Sequence, residues 1–292
     1  MTSHFPDKRQ DGDTPPRDAA TIVMLRDTPR GLEVFLVKRH GLSDVLGGAY
    51  VFPGGKLDPS DSLLDPQTHL DQDPNRLHAA LGEAQLDVRT AAGLYVAALR
   101  EAFEESRVLF SQDVDTARAA LQQSAEKPFN QMLVDLHVRL QTRHVLPWSR
   151  WITPRKSLVS SKRFDTRFFV AAVPHAQEAT HDNHEATESV WLPPRVALEQ
   201  YWNRQIELAP PQIMSLAHLA RHTSVDSVME AARITPPPLI LPEAFDEDGT
   251  PGLCYPGDPA HSVEQRAMPG QTRLLYRNNH FEPAGGFETL FD

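Results

Sequence analysis

The chain of 292 residues has one cysteine, 8% aromatic residues and no long uninterrupted apolar run. A lone cysteine, Cys254, cannot close an intrachain disulfide, so no disulfide framework is expected. No stretch approaches the roughly 20 apolar residues that a bilayer-spanning helix requires, and the opening MTSHFPDKRQDGD lacks the apolar centre of a signal peptide. Basic charge is scarce as well: Lys and Arg number 29 against 39 Asp and Glu, a formal net charge of −10. Binding nucleic acid needs a basic face to neutralise phosphates, which argues against such a partner. These shortages point to a soluble cytoplasmic protein with neither nucleic acid nor membrane as partner, and suit an acidic enzyme that employs cations as cofactors.

Proline, by contrast, is abundant at 25 residues. Residues 1–18 combine charges, two adjacent prolines and almost no large apolar groups, so a disordered segment is expected there, with the fold starting near Ala19. The β-branched apolar runs 21–25 and 32–37 flank the turn-type stretch DTPRG, which predicts a hairpin. A third run, 49–52, should stop at Pro53-Gly54-Gly55. Residues 62–82 read as loop or loose helix. Segment 86–110 has the clearest helical period, with Tyr95, Val96, Leu99, Ala102 and Phe103 in one arc. A further helical stretch from 112 to about 145 is interrupted by Pro128. Strands are expected at 163–173 and 188–192, and helices within 195–233 with Ser224 as an N-cap. Residues 235–292 form a Pro/Gly-rich extension with at most short strands such as 273–277. Strands, then a helix, then strands and terminal helices give an α+β protein, a mixed sheet packed by helices, with its main domain at 19–234.

Segment 100–105, REAFEE, places Glu101, Glu104 and Glu105 within about 100° of helical arc. A solvated face is the ordinary reading of an acidic triplet. Mutual repulsion also suits a hard divalent cation, which takes oxygen ligands. The glycine loop FPGGKLDPSD at 52–61 turns the balance. With that loop the sequence resembles the Nudix hydrolase signature. Gly55 matches its opening glycine, Asp61 its first acid, and Arg100, Glu101, Ala102, Glu104, Glu105 and Val108 its second half. Two departures stand out: the family's short spacer becomes 38 residues, 62–99, and the final glycine is Arg107. A long insertion at that point, with AYVFPGG at 49–55, KRFDTRFF at 162–169 and HEATESVWL at 184–192, is similar to the Nudix subfamily related to the peroxisomal coenzyme A diphosphatase. The resemblance implies the Nudix fold, a mixed β-sheet between helical layers (α/β/α), with 62–99 as a largely helical insertion.

The resemblance further implies hydrolysis of a nucleoside diphosphate linked to another group, a small-molecule partner, with Mg²⁺ or Mn²⁺ as cofactor. Glu101, Glu104 and Glu105 would hold the metal, the Gly55 carbonyl would add a ligand, and Arg100 would orient loop and carboxylates by forked hydrogen bonds. In the loop 181–188, Glu185 is the expected general base, with Glu104 the alternative acid. Arg39, Arg163 and Arg167 are expected to reach phosphates, although each has a plainer reading as a surface or ion-paired residue. Glu188 likewise has the plain reading of pairing with a basic neighbour. Phe164, Phe168 and Phe169 read as core.

Competing motifs fail on residue identity. A zinc motif starting at His184 needs a histidine where Glu188 stands, and a phosphate-binding P-loop ending at Gly55-Lys56 is spoiled by Tyr50 and Leu57. Cys254 has no basic neighbour and reads as an inert thiol. Arg107 cannot end a helix as cheaply as glycine, so the acidic helix is expected to run on to about Leu109. The coenzyme A signature is incomplete: Arg39, Gly48 and 52–55 match, but its second arginine position is Asp44. Coenzyme A or acyl-coenzyme A is therefore the first substrate expectation, with ADP-ribose, dinucleotides or nucleotide sugars as the alternative. A non-catalytic nucleotide-binding Nudix module is the alternative of another class, and a homodimer is left open.

Overall fold

The computed structural model describes residues 15–41, 47–124, 126–154, 162–182 and 186–292. Strands β1 (Arg17–Thr28) and β2 (Gly31–Arg39) form the expected antiparallel hairpin, already extended two residues before Ala19. Only the turn end of the hairpin is paired, from Thr28↔Gly31 to Leu25↔Val34. Beyond it the two strands diverge, and β3 (Tyr50–Val51) and β4 (Gly54–Lys56) fill the fork, β3 on β2 and β4 on β1. The wedge is held by Ile22 N–H donating to Pro53 O at 2.9 Å and Leu57 N–H to Asp18 O at 2.9 Å. The glycine pair was expected to end the strand. It pairs instead because the opened edge of β1 offers free backbone groups, and glycine alone fits there: a Cβ on Gly54 would collide with Thr21.

Helices α1 (Pro66–His69) and α2 (Pro74–Leu81) follow, each begun by an Asp-Pro pair in which Asp65 or Asp73 caps a backbone N–H. Helix α3 (Val88–Ser106) is capped by Asp87 and carries REAFEE in its last two turns. It does not run on to Leu109. Arg107 ends it at φ 60°, with its N–H donating to Phe103 O at 2.9 Å. A left-handed non-glycine residue costs roughly 1–2 kcal/mol. That turn buries Val108, Leu109 and Phe110, each contributing roughly 1.5–3 kcal/mol, so burial outweighs the backbone penalty.

Helices α4 (Val114–Gln123) and α5 (Phe129–Asp135) flank Pro128, but the helical region ends well before 145. The next element, β5 (Val145–Ile152), is a strand that the sequence reading missed, and it pairs antiparallel with β6 (Phe164–Ala172). Strand β6 runs parallel to β1, and β7 (Ala186–Leu192) pairs with β2 on its far edge. Helices α6 (Pro194–Trp202), α7 (Pro210–Leu219) and α8 (Val225–Ile234) come next, the last capped by Ser224 as expected. Strand β8 (Leu239–Ile240) completes an eight-stranded mixed sheet among the described residues.

One sheet face, with Ile22, Met24, Phe35 and Val37, packs on α3; the other, with Val23, Leu25, Val34 and Leu36, packs on α6, α7 and α8. The extension is more regular than expected. Strands β9 (Glu243–Glu247), β10 (Thr250–Cys254), β11 (Arg273–Arg277) and β12 (His280–Pro283) form a four-stranded antiparallel sheet. Leu253, Leu274 and Phe281 join the core of the second face. Among the described residues no helix is long and apolar enough to cross a membrane.

Candidate active site

Because β3 and β4 fill the fork, Gly54 and Gly55 lie against the last turns of α3. A Cβ on Gly55 would strike the carboxylate of Glu101, so only glycine lets the loop approach this closely. Arg100 then joins loop and helix. Its Nε donates to Asp61 Oδ1 at 2.9 Å and its Nη2 to Asp61 Oδ2 at 3.1 Å and to Lys56 O at 3.0 Å. Its Nη1 bridges Glu101 Oε1 at 2.7 Å and Glu104 Oε2 at 2.9 Å. Burial alone would lower the arginine's pKa, but Asp61, Glu101 and Glu104 hold it above its ordinary value.

The carboxylates are not equivalent. Glu101 is 7% exposed and Glu104 open, and both line a cleft of about 610 Å³. Glu105 is 4% exposed and is absent from the cleft wall; it accepts a hydrogen bond from Gly54 N–H at 3.1 Å. Burial raises the pKa of Glu104, Arg100 counters this, and the nearby Asp61 and Asp58 add to it. Among the described residues no three His, Cys, Asp or Glu side chains are grouped closely enough to hold a metal ion. The donor set nevertheless fits a hard divalent cation: carboxylate and carbonyl oxygens, at a place where burial first, and Asp61 and Asp58 besides, disfavour negative charge on Glu104.

The three arginines expected at phosphates part company. Arg39 lines the cleft, half-buried, and its guanidinium forms no ion pair or hydrogen bond with the described residues; its Nε is buried without a partner. Arg163 does not line the cleft and donates through Nε and Nη2 to Thr153 O, at 3.2 Å each. Arg167 is a correction. It is 3% exposed and lies on the other side of β6, with Nε and Nη2 on Glu83 at 2.9 and 2.6 Å and Nη1 on Asp18. Arg150 completes this network through Asp165 at 2.6 Å and Glu83 at 2.9 Å. Every face of the Arg167 guanidinium is thus engaged by protein.

The cleft also collects residues that the sequence reading did not single out: Arg17, Lys56, Lys162 and Gln212. Alternation along β6 puts Phe164, Thr166 and Phe168 on one face and Asp165 and Arg167 on the other, a signal that was available. Arg17 fell in the stretch expected to be disordered, and Gln212 carried no signal. Phe164 is half-buried at the cleft rather than in the core, whereas Phe168 and Phe169 are core residues. Glu188 pairs with Lys38 at 3.5 Å, its plain reading. Glu185 and Asp44 lie outside the described residues. Cys254 is buried and its thiol pKa is pushed up to about 11, chiefly by burial, which suits an inert thiol.

A mixed sheet with a glycine loop locked to an arginine-glutamate helix is the architecture of a Nudix hydrolase. A crystal structure of a Nudix hydrolase from Alicyclobacillus acidocaldarius matches with a TM-score of 0.60 at 24% identity, over 77% of this chain and 100% of that one. Within that class, residues 16–219 match the NUDT19 Nudix domain, and the chain belongs to that family. The acyl-coenzyme A diphosphatase NUDT19 of Xenopus laevis is 30% identical over 237 residues, 67% of this chain, and its human counterpart 25% identical over 238 residues, 68% of this chain. The aligned parts span 62% and 63% of the length of those two proteins.

Proposed function

We propose that the protein hydrolyses the diphosphate bond of coenzyme A or acyl-coenzyme A, giving 3′,5′-ADP and (acyl-)4′-phosphopantetheine. The observation that carries this reading is the content of one cleft: the carboxylates of Glu101 and Glu104 together with Arg39, a half-buried cation with no acidic partner among the described residues. In a protein with ten more acids than basic residues, an arginine left unpaired in a cleft awaits an anion from outside. Arg17, Lys56 and Lys162 add positive charge in the same cleft and are suited to the 3′-phosphate, which an acid such as Asp44 in place of the signature's second arginine would repel rather than bind. The names of the relatives add support for the acyl-coenzyme A class.

Glu101, Glu104 and Glu105 with the Gly55 carbonyl would hold a divalent cation, Mg²⁺ or Mn²⁺, which would supply charge neutralisation at the diphosphate and lower the pKa of the attacking water. Arg100 keeps the acids and the loop in register. Water adds to one phosphorus, the bridging P–O bond breaks, and the other phosphate leaves with the bridging oxygen. Glu185 is assigned the proton of that water. The test is hydrolysis with Mg²⁺ or Mn²⁺ across coenzyme A, 3′-dephospho-coenzyme A, ADP-ribose, NADH and nucleotide sugars. Coenzyme A is expected to have the highest kcat/KM. Equal values for coenzyme A and its dephospho form, or faster turnover of ADP-ribose, would hand the site to the alternative substrates.

A further inference from the structure

Two residues of the cleft have a buried polar atom, Arg39 Nε and Gln212 Oε1, with no hydrogen-bond partner among the described residues, and they differ in kind. Arg39 is a cation and is used by the reading above. Gln212, in the first turn of α7, is neutral, 7% exposed, and lines the same cleft. Its Oε1 is buried without a hydrogen bond. Native interiors rarely leave such an atom unpaired. The terminal torsion of glutamine is broad and roughly two-fold, so a half-turn exchanges which end of the amide faces the cleft. The half-buried ring of Phe164 lines the same space. Register puts Phe164 opposite Arg17, and Thr166 opposite Ala19, all four of them cleft residues.

We propose that Gln212 and Phe164 form the subsite for the purine base of the substrate, with Phe164 stacking on the ring and the Gln212 amide pairing with its amino edge. This assignment rests on the diphosphatase reading. A glutamine amide carries one acceptor beside one donor, which matches an adenine edge bearing an exocyclic amine next to a ring nitrogen. A flat aromatic face suits a base better than a flexible chain, because every base has a π-face. An amide of the pantetheine arm has the same donor and acceptor groups, so the test must separate the two sources.

The test measures binding of ADP and of 4′-phosphopantetheine by calorimetry, without turnover, to the wild type, Gln212→Leu and Phe164→Leu. Wild type is expected to bind ADP. Gln212→Leu should weaken ADP by about 10- to 100-fold, Phe164→Leu by about 10-fold, and neither should change 4′-phosphopantetheine binding. Gln212→Leu removes an unpaired buried oxygen, so an unchanged or higher Tm will show that it folds. Weakened 4′-phosphopantetheine with unchanged ADP would overturn the base assignment in favour of the pantetheine arm. Unchanged binding of both, or no ADP binding by wild type, would overturn it outright. Hydrolysis by the wild type alongside an unaffected Gln212→Leu would remove this subsite but keep the diphosphatase. ADP binding lost in Gln212→Leu, in a protein that cleaves no diphosphate, would do the reverse.

Discussion

Arg167 and Arg39 are both arginines of the central sheet in an acidic protein, yet their surroundings are opposite. Arg167 is surrounded by Glu83, Asp18 and Asp165, and Arg150 shares two of those acids. Arg39 lines the cleft, and among the described residues no acid pairs with it. The first arrangement consumes its charge in tying Glu83, within the insertion, to the sheet. The second leaves charge available to a ligand. Which arginine has its charge consumed by protein acids is therefore decided largely by neighbours distant in sequence.

The largest effect expected from disturbing this division lies on the acidic helix. Glu105→Gln should lower kcat by about 10⁴-fold, since cation-based stabilisation at a diphosphate is worth several kcal/mol, while the fold persists. Near-normal turnover at saturating Mg²⁺ would remove Glu105 from the metal set. On the structural side, Glu83→Ala leaves the buried Arg167 short of its best partner and should destabilise by about 3 kcal/mol. Melting should show a fall of roughly 6–12 °C, with kcat preserved in the folded fraction. If activity falls with no change in Tm, the network belongs to the site after all.

Arg39→Met is expected to do the converse: kcat/KM falls by about 10- to 100-fold, carried by KM, with stability unchanged because no side-chain partner among the described residues is lost. The smallest effect concerns His280, whose two ring nitrogens are buried without partners as it stacks on Tyr201 at 3.9 Å, a place that does not line the cleft. If unpaired polar atoms were mere imperfections, His280 and Gln212 would behave alike. Burial, with help from Arg204, lowers the His280 pKa from 6.5 to about 4. The folded state thus favours the neutral ring, and this contribution is full above pH 6.5 and lost as pH falls toward about 4. His280→Phe should leave Tm at pH 7 within a few degrees and flatten its decline through that window, where His218, also lowered to about 4 by burial, continues to contribute. An undiminished decline would show that His280 is protonated in the fold.

Much of the scaffold was legible because its signals are local. The hairpin, the acidic helix, β6, β7 and the Ser224 cap follow from period and capping residues. What escaped depended on distant partners. β5 contains Pro147 beside a helical stretch, and pairing with β6 and β8 makes it a strand. Gly54 and Gly55 read as a stop, and extend only because β1 and β2 separate. The extension's sheet is hidden among prolines and glycines, and its apolar residues gain their meaning from a core built by the central sheet and by α6, α7 and α8. Arg107 shows the same thing at one residue: its local cost was readable, but the burial of Val108 to Phe110 that outweighs it was not. At the site, the motif gave Arg100, Glu101, Glu104 and Gly55 their neighbourhood. It gave no hint that Arg17, Lys162 and Gln212 would meet them.

The clasp of Arg100 on Asp61 has a further meaning. These two residues stand at the ends of the 38-residue excursion 62–99, so the guanidinium shuts a loop at its neck. For a flexible loop the entropy of closure grows only logarithmically with length, about 0.6 kcal/mol for each doubling. A clasp of this kind is nearly indifferent to how much chain it gathers. The exposed turns of the excursion can therefore lengthen or shorten over evolutionary time while the positions of Gly55 and Glu101 stay put. No residue of 62–99 lines the cleft, so its geometry does not register such changes.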